Sequence, residues 1–182
     1  CGMNSVGIQS AAGVGRALAH WIDKGYPEEQ LWPVDIRRYF PWQQNAKYLY
    51  DRTVEAVGIL YHHHYPNRQR TSARPVICSP IHDRLADHGA VFSQAAGWER
   101  ADWFAPKGVA PVHQYNWDRP NWFEHQKKEH LAVRDGGGLY DLTSMGKLMI
   151  QGRDAEAVLQ HLCANNIDVA LGQIVYTPVL NE

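Results

Sequence analysis

Residues 1–24, CGMNSVGIQSAAGVGRALAHWIDK, read as a glycine-bearing turn that empties into a single helix. Ile8, Ala11, Ala12, Gly15, Leu18, Ala19 and Ile22 recur at three- and four-residue spacing. That spacing lays one buried stripe along a helix capped by Ser5 and ended by Gly25 and Pro27. Gly13 and Gly15 lie inside it, where each costs about 1 kcal/mol relative to alanine. A packed strand, or a ligand pressed on the backbone, would account for the missing side chains. The first N–H groups of such a helix lack intrahelical partners and carry about half a positive charge. Gly2 to Ile8 therefore frame a place for an anion. A phosphate suits it, as does a reduced flavin with its charge spread over N1 and the C2 carbonyl. An ordinary loop-to-helix junction packed on a sheet has the same pattern. No G-x-G-x-x-G follows a strand, so the chain carries no dinucleotide fingerprint of its own.

Beyond this helix, residues 26–44 hold Pro27, Pro33 and Pro41 among aromatics and read as an extended surface connector. Asn45 caps a second helix whose inner face is Ala46, Leu49, Tyr50, Thr53, Val57, Leu60 and Tyr61. Pro66 bars its continuation and His62, His63 and His64 fall in its last turn. A short third helix takes Ser79 as N-cap, Pro80 in its first turn, Ile81 and Leu85 inward and Gly89 as C-cap. Residues 90–92 read as a strand. Residues 97–121 read as an ordered loop pinned by aromatics, whose length argues for function or interdomain packing.

The last third alternates more regularly. A helix spans about 123–135 and stops at Gly136, Gly137 and Gly138, and apolar stretches follow at 139–142 and 147–151. After Gly152 comes a helix with Ala155, Val158, Leu159, Leu162 and Cys163 on one face, Asp154 supporting its start and Asn165 and Asn166 stopping it. Residues 173–180 make an edge strand containing Pro178. Strands with helices between them give an α+β fold.

The 182 residues suffice for one domain or two small ones, and the mean hydropathy is −0.45. Eighteen Lys and Arg against nineteen Asp and Glu leave a net charge of −1, no footprint for a nucleic-acid backbone or an anionic membrane. Apolar runs fall far short of the roughly 20 residues of a membrane span, and no charged n-region followed by an apolar h-region stands at the start of these residues. Cys1, Cys78 and Cys163 form no C-x-x-C pair, so neither a disulfide framework nor a cysteine zinc cage is expected, and a reducing compartment is the default. The abrupt start and the end in mid-pattern suggest a piece of a longer polypeptide.

Two further constellations have competing readings. His62, His63, His64, Cys78 and His82 include donors four apart, yet three consecutive histidines point in different directions and Pro80 interrupts a shared helix, so metal binding is the weaker reading. Asp35, Ile36, Arg37 and Arg38 form either a guanidinium clamp for a carboxylate or a surface ion pair. Pattern alone identifies no nucleophile with a base beside it.

Three motifs in order carry a resemblance that covers essentially the whole chain. Residues 1–24 closely resemble the last FAD-contacting loop and helix of the dimethylglycine and sarcosine dehydrogenase family. GYPEEQLWPVDIRRYFPWQ through RTSARPVICSP resembles that family's small central domain. IHDRLADHGAVFSQAAGWERADWFAP and residues 129–182 resemble the start of its folate-binding domain, which is shared with the aminomethyltransferase of the glycine cleavage system. The resemblance implies the end of an FAD-binding oxidoreductase domain over 1–25, a central domain over 26–79 and a truncated folate-binding domain over 80–182. The implied parent takes a hydride from the N-methyl carbon of sarcosine or dimethylglycine and passes the one-carbon unit to tetrahydrofolate. Gly2, Met3, Asn4, Ser5, Val6, Gly7 and Ile8 would line the flavin. Tyr176, Asn181 and Met145 would contact the folate, with Gly97, Trp98, Glu99 and Asp141 also on motif positions and packing an equal explanation for Trp98 and Asp141.

The family's catalytic carboxylate lies beyond Asn181 and its phosphate-binding glycines lie upstream, so catalytic residues are not identified and the fragment alone is expected to be inactive. Ala101 and Asp102 stand where the family has Pro-Asn, and the three histidines are atypical. An N-methylated amino acid is the implied small-molecule partner, an electron-transfer flavoprotein the implied protein partner, and bacterial cytoplasm or mitochondrial matrix the implied location. A non-catalytic homologue resembling the regulatory subunit of pyruvate dehydrogenase phosphatase shares these motifs, and a folate-dependent aminomethyltransferase is a third reading, weakened by the flavin-type motif.

Overall fold

A computed structural model describes Met3 and residues 5–180. The chain is α+β and divides into two units, residues 1–76 with 113–121 and residues 77–112 with 122–182. Among the described residues no helix is long and apolar enough to cross a membrane.

In the first unit, α1 (Gly7–Lys24) ends where Gly25, at φ +82, donates its N–H to Trp21 O at 2.9 Å. Ser5 is not its N-cap: Val6 holds that position without a side-chain bond, and Ser5 stands at φ +64, in a turn closed by Val6 N–H on Met3 O at 2.8 Å. The expected connector is instead wound into three 3-10 turns, Trp32–Val34, Ile36–Arg38 and Pro41–Gln44. Prolines fix φ at the start of the first and third, and Asp35 caps the second by accepting Arg37 N–H at 2.7 Å. Asn45 caps α2 (Ala46–Gly58) as its sequence predicts, accepting Tyr48 N–H at 3.1 Å.

The stripes on α1 and α2 form as spaced but are not buried. Ala17 is buried on α1, whereas Ile8 is 98% exposed, and Leu49, Tyr50 and Val57 on α2 are exposed. Among the described residues the first unit contains no sheet, so it offers its amphipathic helices no sheet layer to pack on. Likewise, nothing lies within 4 Å of a Cβ built at Gly13 or Gly15.

Glu55 of α2 fastens the loop that follows. Its carboxylate accepts Thr71 N–H at 2.9 Å, Ser72 N–H at 3.0 Å and the Ser72 hydroxyl. Burial works against its ionisation, but these donors and the Arg52 guanidinium prevail and hold the carboxyl down to about 2 from 4.5. A depressed carboxylate stabilises the fold above its unfolded value, and that contribution is lost as pH falls through the folded one. Glu55→Gln is therefore expected to cost about 2 kcal/mol near neutrality. In urea titrations, the gap to wild type should close between pH 4.5 and about 2.

In the second unit, α3 (His82–Asp87) follows Ile81 rather than Ser79 as N-cap. The Ser79 hydroxyl is committed elsewhere, donating to Asp141. β1 (Ala90–Ala95) and β2 (Trp98–Phe104) form an antiparallel hairpin, so the expected loop over 97–121 begins with a strand. Ala96 at φ +49 and Gly97 at φ +87 join the strands, the pair of left-handed residues that a type I′ turn requires. The register shifts between Val91 and Phe92, and Val91 pairs with Trp103. Trp103 is fully buried and stacks on His125 at 5.3 Å, and Ala90, Val91, Ala105 and Trp122 complete the core. α4 (Phe123–Asp135) lies against β2 over the expected span.

α5 (Ala155–Leu162) forms as expected, though Cys163 is already extended and Asp154, at its N-cap, makes no capping bond. The expected edge strand over 173–180 does not form, and the apolar stretches at 139–142 and 147–151 are not strands. Their pairing is limited to an isolated bridge of Cys163 with Val179, and Leu139, Leu148 and Ile174 are almost fully exposed. Strand propensity yields a strand only beside a partner backbone, and the partner of 173–180 among the described residues is the short segment 162–164, through Ala164 N–H on Pro178 O at 3.0 Å and Leu180 N–H on Leu162 O at 2.8 Å.

Candidate functional site

The turn before α1 presents the first candidate. Intrahelical bonding begins with Ser10 N–H on Val6 O at 3.0 Å. The N–H groups of Gly7, Ile8 and Gln9 thus belong to the unpaired first turn. Among the described residues no side chain caps it, and no acidic residue lies in it, so none of them neutralises its partial positive charge. Val6 and Ile8 are exposed beside it. Met3 folds under Gly7, its side chain 3.7 Å from where a Cβ would stand. Met3, Ser5, Val6, Gly7 and Ile8 are therefore brought together around one uncapped helix end, while Gly2 and Asn4 lie outside the described residues.

The second unit contains a cavity of about 540 Å³ between β2, α4 and residues 138–144. Trp98, Glu99, Phe104, Glu129, Tyr140 and Asp141 line it. Along β2, the Glu129 carboxylate accepts Phe104 N–H at 2.9 Å and Gln126 Nε2 donates to Asp102 O at 3.1 Å. α4 thus satisfies backbone groups that a further strand would otherwise take. Asp141 accepts from the Ser79 hydroxyl and from the hydroxyl and N–H of Thr143. These bonds, with the Lys147 ammonium, hold its carboxyl below the usual carboxylate range. Glu99 is buried at 6% exposure. The cavity therefore offers the ionised Asp141 and further carboxyl oxygens beside aromatic walls, in the size range of small-molecule sites.

Of the expected folate positions, Trp98, Glu99 and Asp141 meet at this cavity. Met145 and Tyr176 are not among its lining residues. Met145 turns back with its N–H on Leu142 O at 3.0 Å, and Tyr176 is 93% exposed, its carbonyl accepting from Asn165 Nδ2 at 2.7 Å. Asn181 lies outside the described residues. Glu129 and Tyr140 carry no sequence signal as site residues, since helix periodicity and a glycine stop account for their surroundings.

The other constellations resolve into structure. Arg37 spends its guanidinium fork on Asp35, with Nε and Nη2 at 3.0 and 2.6 Å, so the ion pair is what forms. The side-chain and backbone bonds from Arg37 hold Asp35 down to about 2 against its desolvation. α2 stops at Gly58, so His62, His63 and His64 lie beyond it in exposed chain. The His82 ring stacks on Phe92 at 4.1 Å. Among the described residues no three His, Cys, Asp or Glu side chains are placed to hold a metal ion. Desolvation and the carboxylates of Glu99 and Asp83 push the Cys78 thiol up, away from thiolate chemistry.

Comparison with known proteins orders these parts. Residues 24–79 match the family model described as the FAD dependent oxidoreductase central domain, and residues 81–182 match the GCVT N-terminal domain. The chain is 41% identical over 181 residues to the 4-methylaminobutanoate oxidase (formaldehyde-forming) of Paenarthrobacter nicotinovorans, covering all of this chain and 22% of that protein. It is 32% identical over 186 residues to the mitochondrial pyruvate dehydrogenase phosphatase regulatory subunit of Mus musculus, again over its full length and 21% of the relative. Against the mitochondrial sarcosine dehydrogenase of Homo sapiens it is 31% identical over 207 aligned positions, with 100% and 22% coverage. The chain thus spans about a fifth of the length of these relatives.

Proposed function

Because the chain belongs to the GCVT N-terminal domain family, with an FAD dependent oxidoreductase central domain ahead of it, we propose that it is part of a flavoenzyme that oxidatively demethylates an N-methylated amino acid. The carrying observation is the uncapped, acid-free first turn of α1, directly ahead of the two family domains. Bound flavin would supply a hydride acceptor at N5, so that two electrons leave the substrate's N-methyl carbon and an imine remains. The role of this chain's residues is to hold and polarise. The N–H groups of the first turn of α1 would face the pyrimidine edge of the isoalloxazine, where their partial positive charge favours the reduced anion and hence substrate oxidation. Gly7 allows the backbone to approach closely, because no Cβ projects from it.

Sarcosine and dimethylglycine are the first substrate candidates, and the 41% identical relative adds 4-methylaminobutanoate. In the second unit we assign capture of the one-carbon unit to tetrahydrofolate, supported by the Trp98, Glu99 and Asp141 wall. The acceptors there suit the N–H edge of a pterin. Met145, Tyr176 and Asn181 remain proposed contacts, carried by resemblance alone. The test is an assay of the full-length protein with each of the three amines, with and without tetrahydrofolate. The expected result is demethylated product from one amine, with free formaldehyde falling when tetrahydrofolate is added. Undiminished formaldehyde would remove the folate role and leave the oxidase.

The 32% identity to a phosphatase regulatory subunit supports a second reading, a non-catalytic protein of the same domain order. Full-length protein purified without flavin, and unable to take it up, would decide for that reading.

A further inference from the structure

We propose that the exposed loop after α2 is a docking surface for an acidic protein partner. Between Glu55 and Asp83 the sequence contains no acidic residue, and residues 61–74 hold His62, His63, His64, Arg68, Arg70 and Arg74. Every residue from 61 to 68 is exposed, and so is Arg70.

Elsewhere in the same unit several basic side chains are matched by acids: Arg16 with Glu28 at 2.8 Å, Arg37 with Asp35 at 2.6 Å and Lys47 with Asp51 at 2.5 Å. Arg68 and Arg70 have no acidic partner among the described residues. The segment packed on the loop, residues 113–121, brings one acid, Asp118. In a chain of net charge −1 this is a local concentration of positive charge rather than a general basicity.

The loop is also held in shape, which lowers the ordering cost of docking. Tyr65, Pro66, Asn67 and Arg68 turn with Arg68 N–H on Tyr65 O at 3.3 Å and Asn67 at φ +59, the left-handed third position of a type II turn. Tyr65 stacks on Tyr115 and meets Trp117 at 4.9 Å, while Gln69 N–H donates to the Tyr115 hydroxyl at 2.9 Å. Glu55 anchors its far end through Thr71 and Ser72.

Beside the arginines, Tyr61 is 78% and Trp117 62% exposed. Tyrosine, tryptophan and arginine together are the composition of a protein-interface hot spot, and charge complementarity makes the matching surface acidic. The near-neutral chain lacks the extended basic footprint that a nucleic-acid backbone demands.

The test uses full-length protein and a fluorescein-labelled deca-glutamate peptide, read by fluorescence anisotropy at low salt. Binding is expected, reversed when ionic strength shortens the screening length to about 3 Å. Arg68→Glu with Arg70→Glu should weaken it at least about tenfold without moving the thermal melt, and Arg68→Lys with Arg70→Lys should retain it. Trp117→Ala should weaken it several-fold. No binding, or equal binding by the charge-reversed protein, overturns the proposal. So does a labelled single-stranded DNA of equal charge that binds more tightly through the same arginines.

Discussion

Gly89→Ala is expected to destabilise the second unit by at least about 3 kcal/mol, enough to deplete soluble protein in a marginally stable domain. Gly89 stands at φ +86, and a Cβ built on it lies 2.3 Å from the carbonyl oxygen of Ala105. That oxygen belongs to backbone, which cannot rotate away as a side chain could. The approach is close because Gly89 O accepts Ala105 N–H at 2.8 Å, pinning the end of β2 against the start of β1 beside fully buried Trp103. Gly108 is the control: its φ of +90 is equally left-handed, but nothing lies within 4 Å of its Cβ. Gly108→Ala should cost only the backbone term, about 1–2 kcal/mol. Urea unfolding of both variants in the full-length protein, followed by tryptophan fluorescence, separates the two effects. Equal midpoints would mean that the close approach of Gly89 and Ala105 carries no stability.

Gly7→Val is expected to strip flavin from the full-length protein, with retention falling about tenfold, the effect of roughly 1.4 kcal/mol of lost binding. The variant is informative because among the described residues nothing crowds a Cβ at this position. Gly7 is not in the left-handed region, and its Cβ would meet Met3 at 3.7 and 3.9 Å, ordinary contact distances. A loss of flavin would therefore report on what approaches the helix end from outside the chain. Flavin released by denaturing the purified variant, measured against protein, gives the stoichiometry. An unchanged ratio would mean that no cofactor passes close to Gly7.

What the sequence shows and what it hides follow from the range of the forces involved. Local signals are faithful: Asn45 caps α2, Gly25 ends α1, and α4 runs over the residues that periodicity marks. Ser5 and Ser79 mislead for a physical reason. A hydroxyl caps only when the backbone brings it over the first turn, and Ser5 is turned away at φ +64 while the Ser79 hydroxyl goes to Asp141. β2 is hidden because its tryptophans and charges, Trp98 to Phe104, do not alternate cleanly across the register shift, and its turn uses Ala-Gly in place of Asn-Gly. The edge strand expected at 173–180 meets only the short segment 162–164 among the described residues, too little to make a ladder.

The candidate site divides the same way. The turn and the start of α1 are legible because they depend on a few adjacent residues, but the missing cap is not, since Ser5 reads as the N-cap that the structure places elsewhere. The cavity wall of Glu99, Glu129 and Asp141 is assembled from three elements far apart in sequence, and only Glu99 and Asp141 were reachable, through resemblance. The arginine fork of Arg37 could be read as either clamp or pair from sequence, and Asp35, two residues away, settles it at 2.6 Å.

The most direct measurement is the visible absorption spectrum of the full-length protein without oxygen, before and after addition of sarcosine, dimethylglycine and 4-methylaminobutanoate in turn. A flavin band that one of the three amines bleaches is the predicted result, and it would identify the substrate. A flavin band that none of them bleaches, or a protein that holds no flavin, would contradict the account.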